Sequence, residues 1–394
     1  MNQKEYVGTG SIDNLGDILN ELQAAKVFLI CGKKSFSDCG AEAHINKIKN
    51  VQFIRFSDFE TNPKIEDVNK GLQLFKQNRA DAIIAIGGGS AIDMAKLIRY
   101  FSMGNQNEVS IEDITNYTAI DNKKAQPPFI VIPTTAGSGS EATSFAVLYA
   151  DKVKYSVADN SILPDIVIID PLLSMSLSSY NTAVTGMDAL CHAVESYWSI
   201  NSTDESKEYA RKSITVILNT LPDTVHAPSV ETRLRMAEAA NLAGKAINIS
   251  KTTAAHAVSY TLTSYFSIPH GLAVSLLLPD LLVYNSGITE KDIVDSRGVN
   301  YVKQTIDEIN KLFGEKNSQN TKIVLEQFIN KLGLSTSLSA YNVNYDDIDI
   351  IVENINSERL NNNPRKVEKD DLRKIFELKI NGRYTNGINT GRFT

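Results

Sequence analysis

Five histidines occur in the 394-residue chain: His44, His192, His226, His256 and His270. Three of them stand where a metal could use them. In TGMDALCHAVESYWS (Thr185–Ser199), Asp188 and His192 are four residues apart, so a helix would project both from one face, within reach of a single ion. His256 follows in a second helical stretch, TTAAHAVSY, and His270 in Ile268-Pro269-His270-Gly271, which reads as a helix entry. One carboxylate and three imidazoles form a complete donor set for a divalent cation, with no thiolate to impose zinc. Such a set leaves a fifth position for a substrate oxygen or water. Taken singly, each histidine is more often a satisfied core residue, and Asp188 with His192 fits a helical ion pair as well as a metal pair. His44, in a polar amphipathic stretch, and His226, in a surface-like loop beside Pro228, are read as structural.

A second group of residues suits phosphate. The apolar run Ala80–Ile86 leads into Gly87-Gly88-Gly89-Ser90 and then a helical stretch, Ala91–Phe101, that contains Asp93. Glycines at a strand-to-helix turn let a ligand approach the backbone, and the amides at a helix start favour an anion. The spacing is not GxGxxG, so the standard Rossmann fingerprint is not what is matched. Another apolar run, Phe129–Ile132, leads into PTTAGSGSE (133–141), with the hydroxyls of Thr134, Thr135 and Ser138. That loop alone fits an N-cap and turn equally well. Both loops, however, would lie along one edge of one sheet, where open α/β sheets bind dinucleotides.

These loops require a parallel sheet to position them. Lys26–Cys31, Val51–Phe56, Ala80–Ile86, Phe129–Ile132 and Ile166–Ile169 are apolar along most of their length, and Ile65–Lys76 repeats apolar residues at a helical period (Val68, Leu72, Phe75). Strands of this kind separated by helices predict a parallel sheet covered on both faces. Phe145–Tyr149 with Asp151–Tyr155 reads as a hairpin, and Glu5–Thr9 as a further strand. After Pro171 the strand pattern stops, and from Ser178 to Phe376 nearly every stretch reads as helix. The expected organisation is an α/β dinucleotide-binding domain over 1–175 and an all-α metal-binding domain over 176–394, with a ligand cleft between them. Asn361–Asn363 before Pro364 reads as a loop, and Asn381–Thr394 as an aperiodic tail.

Composition sets the limits. The chain is 42% hydrophobic and 22% charged with a net charge of −6, which excludes disordered and collagen-like classes and argues against nucleic acid as a partner. Cys31, Cys39 and Cys191 are odd in number and lack CxxC spacing, which fits separate thiols in a reducing compartment. No secretory leader and no membrane-length apolar run is visible, so a soluble, cytoplasmic chain is expected.

In this order and at these separations, GGGSAIDMAK (87–96), PTTAGSGSE (133–141), GMDALCHAVESY (186–197) and IPHG (268–271) resemble the iron-containing (group III) alcohol dehydrogenases. The resemblance runs from Gly8-Thr9-Gly10 to Asn363-Pro364-Arg365. It implies the dehydroquinate synthase-like fold, NAD or NADP as hydride carrier, and a divalent metal, iron or zinc. The family's metal ligands fall on Asp188, His192, His256 and His270. Its pyrophosphate loop falls on Gly87, Gly88, Gly89 and Ser90 with Asp93, and its nicotinamide-side loop on Thr134, Thr135 and Ser138. Asn62 in ETNP and Lys154 in KVKYS match further cofactor-contacting positions. Many members carry another histidine four residues after the third ligand. That position here is Tyr260, so the proton relay falls to Tyr260 or to solvent and ribose hydroxyls. Gly32 matches a site where members that disfavour NADP carry an acid. With Lys33 and Lys34 following it, a 2′-phosphate would meet cations, and NADP should be accepted.

The resemblance implies hydride transfer between nicotinamide and a small aldehyde or alcohol polarised by the metal, in a homo-oligomer, expected to be a dimer. The segment Asn248–Tyr260 is similar to the phosphonoacetaldehyde reductase branch, which makes 2-hydroxyethylphosphonate. Lys251 and Thr252 would then hold an anionic group of the substrate, although Lys251 fits a solvated lysine equally well. A general short-chain alcohol dehydrogenase is the alternative. A dehydroquinate synthase-like lyase would need several cations near the metal, and a non-catalytic scaffold would need neither the ligand set nor both loops.

Overall fold

Residues apolar at every position become the inner strands of a sheet, because both of their faces must be covered. The computed structural model bears this out in the β4 strand, Ala82–Gly87, which is buried throughout. The structure describes residues 3–104, 108–115, 126–150, 153–355 and 357–380, and the stretch read as a tail lies outside them. Its strands are β1 (Lys4–Val7), β2 (Lys26–Cys31), β3 (Gln52–Phe56), β4, β5 (Phe129–Pro133), β6 (Phe145–Ala150), β7 (Val153–Ala158) and β8 (Ile166–Ile169). Counting helices of seven residues or more, α1 is Leu15–Glu21, α2 Ile65–Asn78 and α3 Gly89–Ser102. Then come α4 (Ser179–Trp198), α5 (Asp204–His226), α6 (Val230–Ser250), α7 (Ala254–Phe266) and α8 (His270–Ser286). The last three are α9 (Val299–Leu312), α10 (Ser318–Lys331) and α11 (Lys369–Ile380).

Six strands form one parallel sheet in the order β1-β8-β5-β4-β2-β3, and β6 with β7 makes a separate antiparallel pair. Side chains alternate across the sheet. Phe28, Ile30, Ile83, Ala85, Phe129 and Val131 pack beneath α2 and α3, while Val27, Leu29, Ile84, Ile86, Ile130 and Ile132 pack with Ile12, Leu15 and Ile18 on the opposite face. The strand order turns outward from β2 to β3 and resumes on the other side with β4, so the C-terminal ends of β2, β4 and β5 carry their loops at one edge. β1, expected as a strand, pairs in parallel with β8 of its own chain. His226 is the last residue of α5 rather than part of a loop, and His44 meets Asp13 through Nδ1 at 2.7 Å.

The chain packs as two units that are not consecutive stretches. The first is Met1–Ala193 with Thr203–Ile249, so α5 and most of α6 pack with the sheet. The second is Val194–Ser202 with Ser250–Thr394. No described helix is long and apolar enough to cross a membrane.

Within the second unit, Asp280 of α8, with its side chain 9% exposed, takes ion pairs from Lys322 of α10 and, at 2.9 Å, from Lys379 of α11. Burial would raise the Asp280 carboxyl, but the two ammonium groups outweigh it and hold it below the usual carboxylate range. A carboxyl lowered on folding adds stability above its unfolded pKa, about 3.9, which disappears as pH falls through the folded value. Asp280→Asn should therefore flatten the acid limb of a Tm-against-pH series between pH 5 and 2. An acid limb identical to that of the wild type would contradict it.

Candidate functional site

The two glycine-bearing loops expected to hold a dinucleotide pack against each other. A methyl on Gly88 would meet Thr135 Oγ1 at 3.1 Å, and one on Gly89 would meet Ser138 Oγ at 3.0 Å, so each glycine admits the opposite loop. The helix begins within the glycine run, at Gly89, rather than at Ala91. Asn62 has φ +62° and donates its amide to Ser90 Oγ at 3.2 Å, which brings the β3–α2 connection to the same edge. Lys154 lies on β7 and acts electrostatically on Asp93. At Gly32, Arg55 of β3 donates to the Gly32 carbonyl at 3.2 Å and to the Lys33 carbonyl at 3.0 Å, and Lys33 pairs with Asp58 at 2.8 Å. Sequence reading missed Arg55, whose place beside Gly32 follows from the β2–β3 pairing.

Both carboxylate oxygens of Asp93 have protein donors. Its Oδ1 accepts from Ser140 Oγ at 2.6 Å and its Oδ2 from the Val147 amide at 3.1 Å, so both oxygens tie the Thr134–Ser140 loop and β6 to α3. Burial pushes its carboxyl up, against the pull of Lys96. Lys96, one turn further along α3, is fully buried. It donates to the Ser140 carbonyl at 2.6 Å, Thr143 Oγ1 at 2.9 Å and the Phe145 carbonyl at 2.9 Å. A buried ammonium is costly unless its donors are satisfied. Here they are satisfied by the loop's own backbone, which makes Lys96 the inner brace of that loop. The sequence signal was its place in GGGSAIDMAK, on the apolar side of an amphipathic helix where a lysine is out of character.

The metal-type residues are carried by α4, α7 and α8. From Met187 to Trp198, α4 is buried on every side, so each polar group on it must have a specific use. Asp188, His192 and Glu195 lie at successive turns of it. Asp188 and His192 are buried, His256 is buried on α7, and His270 is half-buried as the first residue of α8. Asp188, His256 and His270 each offer a ligand atom that could hold a metal ion. His256 and His270 lie together in the second unit, while Asp188 and His192 lie one turn apart on the part of α4 that belongs to the first. A hard carboxylate and two imidazoles, mostly buried, are a chemical fit for a divalent transition metal. His256 and His270 have ring centroids 5.4 Å apart, and Tyr260 stacks on His270 at 5.7 Å with 17° between the planes.

The residue that sequence reasoning passed over is Glu195. It is fully buried, and its Oε1 accepts from Thr253 Oγ1 at 2.6 Å and from the Ala255 amide at 2.8 Å. Its Oε2 meets Nδ1 of His256. Burial alone would raise this carboxyl, but His256, Thr253 and Ala255 together hold it below the usual range. Its position three residues after His192 and seven after Asp188 was the available signal.

At the α6–α7 joint, Lys251 has φ +63° and is half-buried, and Thr252 is buried. Asn362 clamps this joint by donating Nδ2 to the Thr252 carbonyl at 3.0 Å. Burial, and then the Arg359 guanidinium, push the Lys251 ammonium down.

Comparison with known proteins identifies the family. The family described as "Iron-containing alcohol dehydrogenase" matches residues 2–171, and "Fe-containing alcohol dehydrogenase family, C-terminal" matches 182–380. The chain is 30% identical to the NADPH-dependent butanol dehydrogenase of Clostridium saccharobutylicum, over 94% of this chain and 95% of that one. It is 28% identical to the NAD-dependent methanol dehydrogenase of Bacillus methanolicus, over 94% and 96%. The sulfoacetaldehyde reductase of Bifidobacterium kashiwanohense, solved in complex with NAD+, superposes with a TM-score of 0.81 at 26% identity, over 98% of each chain. With both halves matched and the expected fold in place, the chain belongs to the iron-containing alcohol dehydrogenases, a family of metal-dependent, nicotinamide-linked oxidoreductases.

Proposed function

We propose that the protein reduces a small aldehyde bearing an anionic group, with phosphonoacetaldehyde as the best candidate and 2-hydroxyethylphosphonate as the product. The carrying observation is Lys251, half-buried at φ +63° in the joint that leads into the helix bearing His256. A half-buried ammonium that burial pushes down is stabilised in its charged form by a bound oxyanion. The sulfoacetaldehyde reductase supports the same substrate class, since its named substrate is also a two-carbon aldehyde with an acidic head.

In this reading Asp188, His192, His256 and His270 hold Fe2+, or Zn2+ in its place. When bound, that ion supplies Lewis acidity to a carbonyl oxygen and the nicotinamide supplies hydride. The chain's own residues orient and hold. Amides of Gly88, Gly89 and Ser90 receive the pyrophosphate at the start of α3, and Thr134, Thr135 and Ser138 line the nicotinamide side, on a loop braced by Lys96 and Asp93. Asn62 and Lys154 border the same nucleotide. Lys251 and Thr252 fix the anionic end of the substrate. Tyr260, stacked on His270, is placed to pass the alkoxide its proton. Arg55 and Lys33 beside Gly32 favour acceptance of NADPH as well as NADH.

The test is an aldehyde panel with both cofactors. Phosphonoacetaldehyde should show a far higher kcat/KM than propanal. Lys251→Met should lower the phosphonoacetaldehyde value by about 10–100-fold, the worth of a charged hydrogen bond, while leaving propanal nearly unchanged. Equal kcat/KM for the two aldehydes would favour the general alcohol dehydrogenase reading instead, which the butanol and methanol dehydrogenase relatives support.

A further inference from the structure

Glu195 is a fully buried carboxylate with no role in the ligand set, yet each of its oxygens has a distinct occupation. Oε1 collects the Thr253 hydroxyl at 2.6 Å, the Ala255 amide at 2.8 Å and the His256 amide at 3.4 Å, and so closes the N-terminal turn of α7. Thr253 is itself held by the Trp198 indole N–H at 2.8 Å. The remaining oxygen, Oε2, is directed at Nδ1 of the His256 ring. An acceptor at Nδ1 fixes the neutral imidazole's proton there and leaves Nε2 with its lone pair as the ligating nitrogen.

We propose that Glu195 is a positioning residue for the metal centre, holding His256 in the Nδ1–H tautomer and at the ring orientation in which Nε2 can ligate. The proposal rests on the reading that His256 is a metal ligand. It assigns Glu195 two separable tasks, one per oxygen: capping α7 and setting the tautomer.

Glu195→Gln separates the two. The three donors around Oε1 select the amide oxygen for that side, so the cap survives. The amide nitrogen then faces Nδ1 and donates to it, which drives the ring proton to Nε2 and blocks ligation. Thr253→Ala does the reverse, weakening the cap while leaving Oε2 on the ring.

The experiment titrates the full-length apoprotein with Zn2+ against a chromophoric chelator and with Co2+ by its visible absorption, with Tm recorded for each variant. Wild type should bind one equivalent, Glu195→Gln should bind about 10–100-fold more weakly, Thr253→Ala should stay close to wild type, and Glu195→Asp should recover part of the loss. Wild-type affinity in Glu195→Gln, or equal losses in Glu195→Gln and Thr253→Ala, would overturn the proposal. A wild type that binds no metal would instead remove the ligand reading beneath it. Should Glu195→Gln fail to fold, 15N-histidine labelling of the wild-type chain, which has five histidines, reads the tautomer directly. A His256 signal protonated at Nδ1 is expected, and one protonated at Nε2 overturns the inference.

Discussion

His270→Ala should lower kcat/KM by about 10³-fold or more and strip the protein of its metal, while the chain remains folded. The factor follows from the several kcal/mol of charge stabilisation that a ligand-held cation gives a developing alkoxide, at 1.36 kcal/mol per factor of ten. His270 is the suitable ligand to remove, because it opens α8 and is only half-buried. His256 would be a poorer choice, since its loss leaves the fully buried Glu195 facing an empty space, and stability and metal binding would fall together. The checks are metal content after gel filtration, steady-state oxidation of NAD(P)H, and circular dichroism. Full turnover by a metal-free His270→Ala protein would sink the metal-centred mechanism.

Gly244→Val should cost about 3 kcal/mol or more and lower Tm by on the order of 10 °C. Gly244 of α6 lies against Gly139, and a Cβ added to it would stand 2.5 Å from the Gly139 oxygen and 2.8 Å from its Cα. The obstruction is backbone, not a side chain that could swing away. Nor can the loop withdraw, because Gly139 sits at φ +60° and the next residue, Ser140, is gripped by Lys96 and Asp93. Nucleotide affinity should fall with stability, since the displaced loop is the one carrying Thr134, Thr135 and Ser138. Gly16→Ala is the control. Its added methyl meets Ile48 Cγ1 at 3.9 Å, an ordinary contact in a helix, and Tm should hold or rise slightly. A Gly244→Val protein as stable as wild type would mean that the two backbones do not approach as described.

The strands and long helices were legible from local pattern, because an element's period is set by neighbours along the chain. Runs such as Phe129–Ile132 and Ile166–Ile169 are apolar at every position, and only a sheet covered on both faces uses them. Asp188 and His192 could be paired for the same reason, since a helical turn alone aligns them. The proposed ligand set as a whole is suggested only by the ordered motifs that resemble a known family. Spacing says nothing about whether segments far apart in sequence meet.

That question belongs to packing. Glu195 finds His256 across 61 positions and Lys96 finds Ser140 across 44, and neither pairing has a local signature. A lysine on an apolar helix face and a glutamate on a buried one carry a local signal that the sequence reading did not use, and their partners carry none. Gly244 looked like an unremarkable helical glycine until Gly139 was seen against it. From the residues alone came the kind of chemistry available and the elements that carry it. Which groups brace the loop and meet the imidazole was decided by tertiary structure, because a buried charge takes its role from whatever packing places beside it.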